Sequence, residues 1–319
     1  MEDKTLTIIL LSYYSSIRLD DTTRKIIDKM EGESIPFEII IMDDGSEDDS
    51  FEVASAIARS DSRIKAFQLS RNFTTNYSKF AGLSVSKGSC ATFLPDDLQR
   101  PLETIVQMYR LWEQGHKLIF DYRTSRNDGK LSDLCSRLYY KLMNSFSELT
   151  YPPGGTDGFL ADREVIDLLN NRIRPTNTSI VIEALKIGFD PVFIPAPRPK
   201  TKGKSRWTLK KKIRMAKDIF FTSSDFPIRM LTFLGVSIFL VSFMMLPFVI
   251  YLRFFSDNMM FGFRIPGWTT IILVVITFSA LNMFFLGIVA EYIWRIYSEV
   301  KDRPGFIIRK NDDADVGKY

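Results

Sequence analysis

Two runs without a charged residue constrain this chain more than anything else in it: Leu231–Leu252, with 22 residues, and Trp268–Ala290, with 23. At about 1.5 Å per residue, each reaches about 33 Å as a helix, enough to cross a hydrocarbon layer of roughly 30 Å. Both read as transmembrane helices, and Pro247 in the first is tolerated there with a kink. The flanks agree. Arg198 to Lys217 carries ten Lys or Arg, and Arg295, Lys301, Arg303, Arg309 and Lys310 follow the second run. The connecting loop has only Arg253 and Arg264. Cations collect on the cytoplasmic side of membrane proteins, so both termini are expected inside. Ile8–Leu11 is too short an apolar run, and its flank too acidic, for a signal peptide.

Between residues 207 and 226, Leu209, Ile213, Ala216 and Phe220 share one helical face while Lys210, Lys211, Arg214 and Lys217 lie mostly off it. This predicts an amphipathic helix resting on anionic membrane lipids. The expected organisation is a cytoplasmic domain over 1–206, that helix over 207–226, a two-helix membrane region over 227–300, and a cytoplasmic tail over 301–319.

The first 200 residues have another rhythm. Apolar runs at Thr7–Leu11, Phe37–Met42, Ile64–Leu69, Ala91–Leu94 and Leu118–Phe120 read as buried strands. Helical patterns at Thr22–Met30, Phe51–Ala58, Tyr77–Ser86 and Leu102–Gln114 separate them, with Pro101 suited to a first turn and Gly115 to a stop. Alternation of this kind predicts an α/β domain with a mostly parallel sheet, whose ligands bind at the carboxyl ends of the strands.

Composition narrows the chemistry. Two cysteines without a C-x-x-C argue against a cysteine zinc site and a disulfide framework, and a single histidine, His116, argues against a Ser-His-Asp triad or a His-rich metal site. A metal here is expected to be a hard cation held by oxygen, Mg or Mn. The net charge of +4, from 42 basic and 38 acidic residues, is too balanced to imply nucleic-acid binding.

Three strand ends are acidic or polar: Asp43-Asp44-Gly45-Ser46, then Pro95-Asp96-Asp97-Leu98-Gln99-Arg100-Pro101, then Asp121-Tyr122-Arg123-Thr124-Ser125-Arg126. Carboxylates on neighbouring strand ends repel one another unless a cation neutralises them, and a metal–diphosphate complex is a natural occupant. Any one of the three also reads as an ordinary turn or cap.

With Arg71-Asn72-Phe73, Ala81-Gly82-Leu83, Asp157-Gly158-Phe159, Lys200, Gly203–Trp207 and the segment Gly287–Gly305, these motifs cover almost the whole chain. In that order they resemble family-two glycosyltransferases of the polyprenyl-phosphate branch, which includes dolichol-phosphate mannose synthases and bactoprenol glucosyltransferases. The resemblance implies a GT-A nucleotide-sugar-binding fold. It also implies inverting transfer of one sugar to undecaprenyl or dolichyl phosphate, at the inner membrane of a bacterium.

Under that resemblance, Asp97 binds the divalent ion with Gln99 as a neutral oxygen partner. Tyr14, Asp43, Asp44, Asp96 and Arg123 serve the nucleotide sugar, with a uridine diphosphate favoured. Arg126, Lys200 and Arg206 surround the acceptor phosphate. Asp157 falls where the family has an acid proposed as general base, and positioning of the acceptor stands beside that role. A homo-oligomer is expected.

The chain also departs from the family. Ser12-Tyr13-Tyr14-Ser15-Ser16 stands where Pro-x-Tyr-Asn-Glu is usual, Pro95 replaces the first acid of Asp-x-Asp, and Arg100 takes the place of a usual Asp. The resemblance then implies a less acidic donor site and a different donor. Two alternatives are a glycosyltransferase acting on another lipid or a growing glycan, and a non-enzymatic scaffold with a degenerate sugar-binding domain.

Overall fold

The computed structural model describes residues 4–123, 156, 158–176, 178–196, 231, 233–238, 240, 244, 247, 259–260, 263–264, 267–301 and 303–311. The first 123 residues alternate β1 (Leu6–Ser12), α1 (Leu19–Gly32), β2 (Phe37–Asp43), α2 (Ser50–Ser60), β3 (Ile64–Leu69), α3 (Thr75–Val85), β4 (Cys90–Pro95), α4 (Leu102–Glu113) and β5 (Leu118–Arg123). Each of these matches an expected strand or helix to within three residues. Pro101 stands at the N-cap of α4 rather than inside its first turn, and Gly115, at φ 98°, ends that helix. Next come β6 (Phe159–Asp162), α5 (Arg163–Arg172), α6 (Ile180–Lys186) and β7 (Val192–Ala196).

These strands build one sheet, in the order β3-β2-β1-β4-β6-β5-β7. β1 lies parallel to β2 and β4, β2 to β3, and β5 to β7, whereas β6 runs antiparallel to both of its neighbours. Side chains alternate across the pleat. Leu6, Ile8 and Leu10 are buried with α1, α2 and α4 residues such as Ile26, Phe51 and Met108. Ile9 and Leu11 are buried on the opposite face with Phe80, Val165 and Ile180 of α3, α5 and α6. Two covered faces explain why the parallel strands read as continuous apolar runs.

The chain divides into two compact units, Met1–Ser223 with Pro304–Tyr319, and Ser224–Arg303. It therefore returns to the first unit at its end. There β10 (Ile308–Asn311), numbered after the elements of the second unit, pairs antiparallel with β3 and adds an eighth strand to the sheet. Ser70 N–H donates to Ile307 O at 2.8 Å, and Phe306 and Ile308 pack against the core. Within the span read as a tail from the sequence, residues 308–311 are thus part of the sheet.

The second unit contains a short hairpin, β8 (Met259–Met260) with β9 (Phe263–Arg264), and the 34-residue helix α7 (Gly267–Val300). α7 includes the uncharged run Trp268–Ala290, and its Ile271, Met283 and Leu286 are exposed. The described residues of the first uncharged run are helical. Among the described residues no helix is long and apolar enough to cross a membrane, so the two spans rest on the sequence. The expected interfacial helix over 207–226 lies outside the described residues.

Candidate active site

The carboxyl ends of β1 to β4 lead into loops that hold one another by side-chain hydrogen bonds. Asp43, fully buried, organises the first junction. Its Oδ2 accepts Ser46 N–H at 2.9 Å and Gln68 Nε2 at 3.0 Å, and its Oδ1 accepts Ser46 Oγ at 2.5 Å. Ser46 Oγ in turn accepts Tyr14 N–H at 3.0 Å, which fixes the β1 loop to the β2 loop. The carboxylate expected at the nucleoside is here engaged with the loop around it.

Asp44 faces the other way. Its two oxygens accept the N–H groups of Phe73 and Thr74, at 2.8 and 3.0 Å, and so hold the loop that starts α3. Burial pushes its carboxyl up to about 6, against the opposing pull of those N–H groups and of Ser78. Between the two aspartates and Ser46 sits Gly45, at φ 69°. A Cβ there would lie 2.4 Å from the Arg71 backbone carbon, so only glycine lets the β2 and β3 loops meet.

Asp96 follows β4 and is tied back to the first loop. Its Oδ2 accepts the Ser15 hydroxyl and Arg18 Nη2, the latter at 2.5 Å, while its carbonyl accepts Thr22 Oγ1 at 2.8 Å. Asp97, by contrast, is exposed, and its Oδ2 accepts the Gln99 side-chain amide. Leu98 between them adopts φ 49°, which closes the turn from Pro95 and brings the Asp97 and Gln99 side chains together.

Backbone strain collects at the same place. Of the four non-glycine residues with positive φ among the described residues, Tyr14, Thr74 and Leu98 lie in these strand-end loops, and Ser34 does not. Such conformations cost about 1–3 kcal/mol each and persist where neighbouring contacts enforce them, commonly at functional sites. Thr74 is the extreme case, with φ 83° and ψ 157°. Tyr14 is 42% exposed, and its ring meets that of Tyr13 in a T-shaped contact with centroids 4.6 Å apart.

Asp97 and Gln99 offer a divalent ion one carboxylate and one amide oxygen, the latter after rotation of the amide. Among the described residues no three His, Cys, Asp or Glu side chains cluster as a metal site. That donor set suits Mg better than a dedicated cage would, since Mg is usually held by one or two carboxylates together with substrate phosphates and water.

Sequence reasoning named Tyr14, Asp43, Asp44, Asp96, Asp97 and Gln99, and the fold brings all six to the strand ends. It missed Ser15 and Arg18 as partners of Asp96, Ser46 and Gln68 as partners of Asp43, and the pairing of Arg100 with Asp121. Nothing in the local sequence signals those contacts. Arg123 closes β5, but its side chain, together with Arg126, Asp157, Lys200 and Arg206, lies outside the described residues.

A mostly parallel sheet with two reversed strands, β6 within it and β10 at its edge, and polar loops gathered at the carboxyl ends of its parallel strands, defines an α/β domain of the GT-A type. The chain belongs to glycosyl transferase family 2, whose model matches residues 7–168. Over 307 residues it is 27% identical to the "Uncharacterized glycosyltransferase YkcC" of Bacillus subtilis, covering 96% of this chain and 93% of that protein. It is 28% identical over 277 residues to the "SfII prophage-derived bactoprenol glucosyl transferase" of Shigella flexneri, covering 86% of this chain and 87% of the other. Among solved structures, it is similar to glucosyl-3-phosphoglycerate synthase from Mycobacterium tuberculosis, crystallised with Mn2+, uridine diphosphate and phosphoglyceric acid. There the identity is 14%, the TM-score 0.46, and the coverage 67% of this chain and 75% of the other.

Proposed function

We propose that this family-two glycosyltransferase moves one sugar from a nucleotide sugar to a polyprenyl phosphate at the cytoplasmic face of a membrane. The observation that carries the reading is the joining of two features in one chain. Loops able to hold a nucleoside diphosphate crown the sheet, and two uncharged runs of membrane-spanning length follow it. The relative named a bactoprenol glucosyl transferase is matched through both parts, at 86% of this chain. Connectivity supports the hairpin: residues through 223 and from 304 belong to one unit, so the chain between them crosses a bilayer an even number of times or not at all.

In this reading Tyr14 packs on the base, and Asp44 holds the Phe73–Thr74 backbone that borders it. Asp43 and Asp96 act through the loops they fix. Asp97 and Gln99 would hold Mg or Mn, which when bound stabilises charge on the departing nucleoside diphosphate. A phosphate oxygen of the acceptor bonds to the anomeric carbon as the bond from that carbon to the diphosphate oxygen breaks, with inversion. The acceptor has a second pKa near 6, so at neutral pH it is already largely ionised, and Asp157 serves to position it or to take its remaining proton. Arg123 is assigned to the donor diphosphate and Arg126 and Arg206 to the acceptor, because arginine's planar fork matches phosphate oxygens at two points, while Lys200 adds a point charge on the acceptor side.

The test is a panel of nucleotide sugars offered with labelled undecaprenyl phosphate to the full chain in detergent. A labelled lipid-phosphate sugar with one donor is the expected result. No product with any donor, while other lipid or glycan acceptors are glycosylated, would move the chain to another acceptor class.

A further inference from the structure

Arg100 is a buried cation, 6% exposed, at the end of the loop that carries Asp97 and Gln99. Its Nη2 donates to Asp121 Oδ1 at 2.8 Å. Nη1 donates to Thr92 Oγ1 and Phe93 O, at 3.1 and 3.0 Å, and Thr92 Oγ1 passes the chain on to Phe159 O at 2.9 Å. A Cβ built on Gly158 would stand 1.9 Å from Nη2. The guanidinium thus fills the space where residue 158 would otherwise carry a side chain, and three hydrogen bonds keep it from yielding.

These contacts join three segments. Arg100 ends the loop after β4, Asp121 lies one residue beyond the Phe120–Phe159 pair of β5 and β6, and Gly158 immediately precedes β6. Asp157 is the next residue back along the chain. A buried ion pair is weak support for stability, because apolar residues of similar volume often serve as well or better. It is well suited to fixing geometry, since both partners must keep their places or leave a charge buried alone.

We propose that the Arg100–Asp121 pair is a positioning device that holds Gly158, at the entrance to β6, against the end of the Asp97–Gln99 loop, so that this loop keeps one place relative to β5 and β6. This rests on the function proposed above. A shift of about 1 Å in a reacting group costs on the order of 100-fold in rate, so the device would act on turnover more than on donor affinity.

The double variant Arg100→Met/Asp121→Leu removes both charges and keeps the bulk. Two readouts separate the outcomes: amide hydrogen exchange across 158–162, and kcat and donor KM for sugar transfer. The expected result is an unfolding temperature close to wild type, faster exchange confined to 158–160, and kcat lower by roughly 10- to 100-fold. Donor KM should change by less than about threefold, since uniform binding is not what is lost. Arg100→Lys, which keeps the charge but not the fork, should fall between. With an active wild type, an unchanged kcat overturns the proposal, as does a loss that only tracks the folded fraction. If the wild type transfers no sugar at all while exchange at 158–160 still responds, the function above fails and the positioning of Gly158 stands. Unchanged exchange overturns the positioning whichever way activity goes.

Discussion

Ser15 donates its hydroxyl to the carboxylate of Asp96, across 81 residues of sequence. Both residues belong to departures from the family pattern, one at the end of β1 and one beside Pro95 at the end of β4. In space the two departures form a single contact, with Arg18 as its third member. Loss of acids at the ends of β1 and β4 is thus accompanied by an internal partner for the acid that remains beside Pro95.

This separates two adjacent aspartates by experiment. Asp97→Asn keeps the shape and removes the charge, and should lower turnover by at least ~100-fold, the scale of one strong electrostatic contact in an active site. Near-wild-type turnover at saturating Mg or Mn would remove Asp97 from the metal. Asp96→Asn should act mainly on the fold, with a loss of about 1 kcal/mol, because the Arg18 side chain is 42% exposed and its pairing is screened by solvent. Denaturant unfolding of both variants, beside their metal titrations, reads the contrast.

Thr74 makes an unusual prediction for a residue next to a binding loop. At φ 83° a side chain is strained, whereas glycine is not. Thr74→Gly should therefore stabilise the protein by about 1 kcal/mol, the relieved strain exceeding the added freedom of the unfolded chain. A lower denaturation midpoint for the glycine variant would show that the threonine side chain makes a compensating contact.

Asp44 gives the stability a pH dependence of definite sign. Its folded-state pKa of about 6 lies above the unfolded value of 3.8, so the native state binds the proton more tightly. The contribution is fully present below pH 3.8 and is lost as pH rises through about 6. The difference of roughly 2 pH units corresponds to about 3 kcal/mol at most. Urea midpoints measured from pH 4 to 7.5 should therefore fall more steeply in the wild type than in Asp44→Asn. Parallel curves for the two proteins would place the titration elsewhere.

Topology can be read by chemical labelling. A cysteine introduced at Asn258, in the loop between the two uncharged runs, should react with an impermeant thiol reagent added to intact cells. One at Asp312 should react only after permeabilisation, since β10 just before it belongs to the same sheet as the candidate site. The reverse pattern would mean that the distribution of Lys and Arg was misread.

What the amino-acid order determined by itself was the rhythm: strands β1 to β5 and helices α1 to α4 were legible because strands buried on both faces must be continuously apolar. The membrane reading was equally local, since charge-free length is a property of sequence alone. Strands β6, β7 and β10, with four, five and four residues, carried too little pattern to announce themselves. Only their partners made them strands, and β10 joins the sheet from more than two hundred residues beyond β3. The chemical roles divided in the same way. Asp43 and Asp44 read alike in the sequence, yet tertiary contacts gave the two different partners. Arg100 and Asp121, 21 residues apart, became a pair only because the ends of β4 and β5 converge where β6 begins. Burial and partner are properties of the folded neighbourhood, and no residue carries them along the chain.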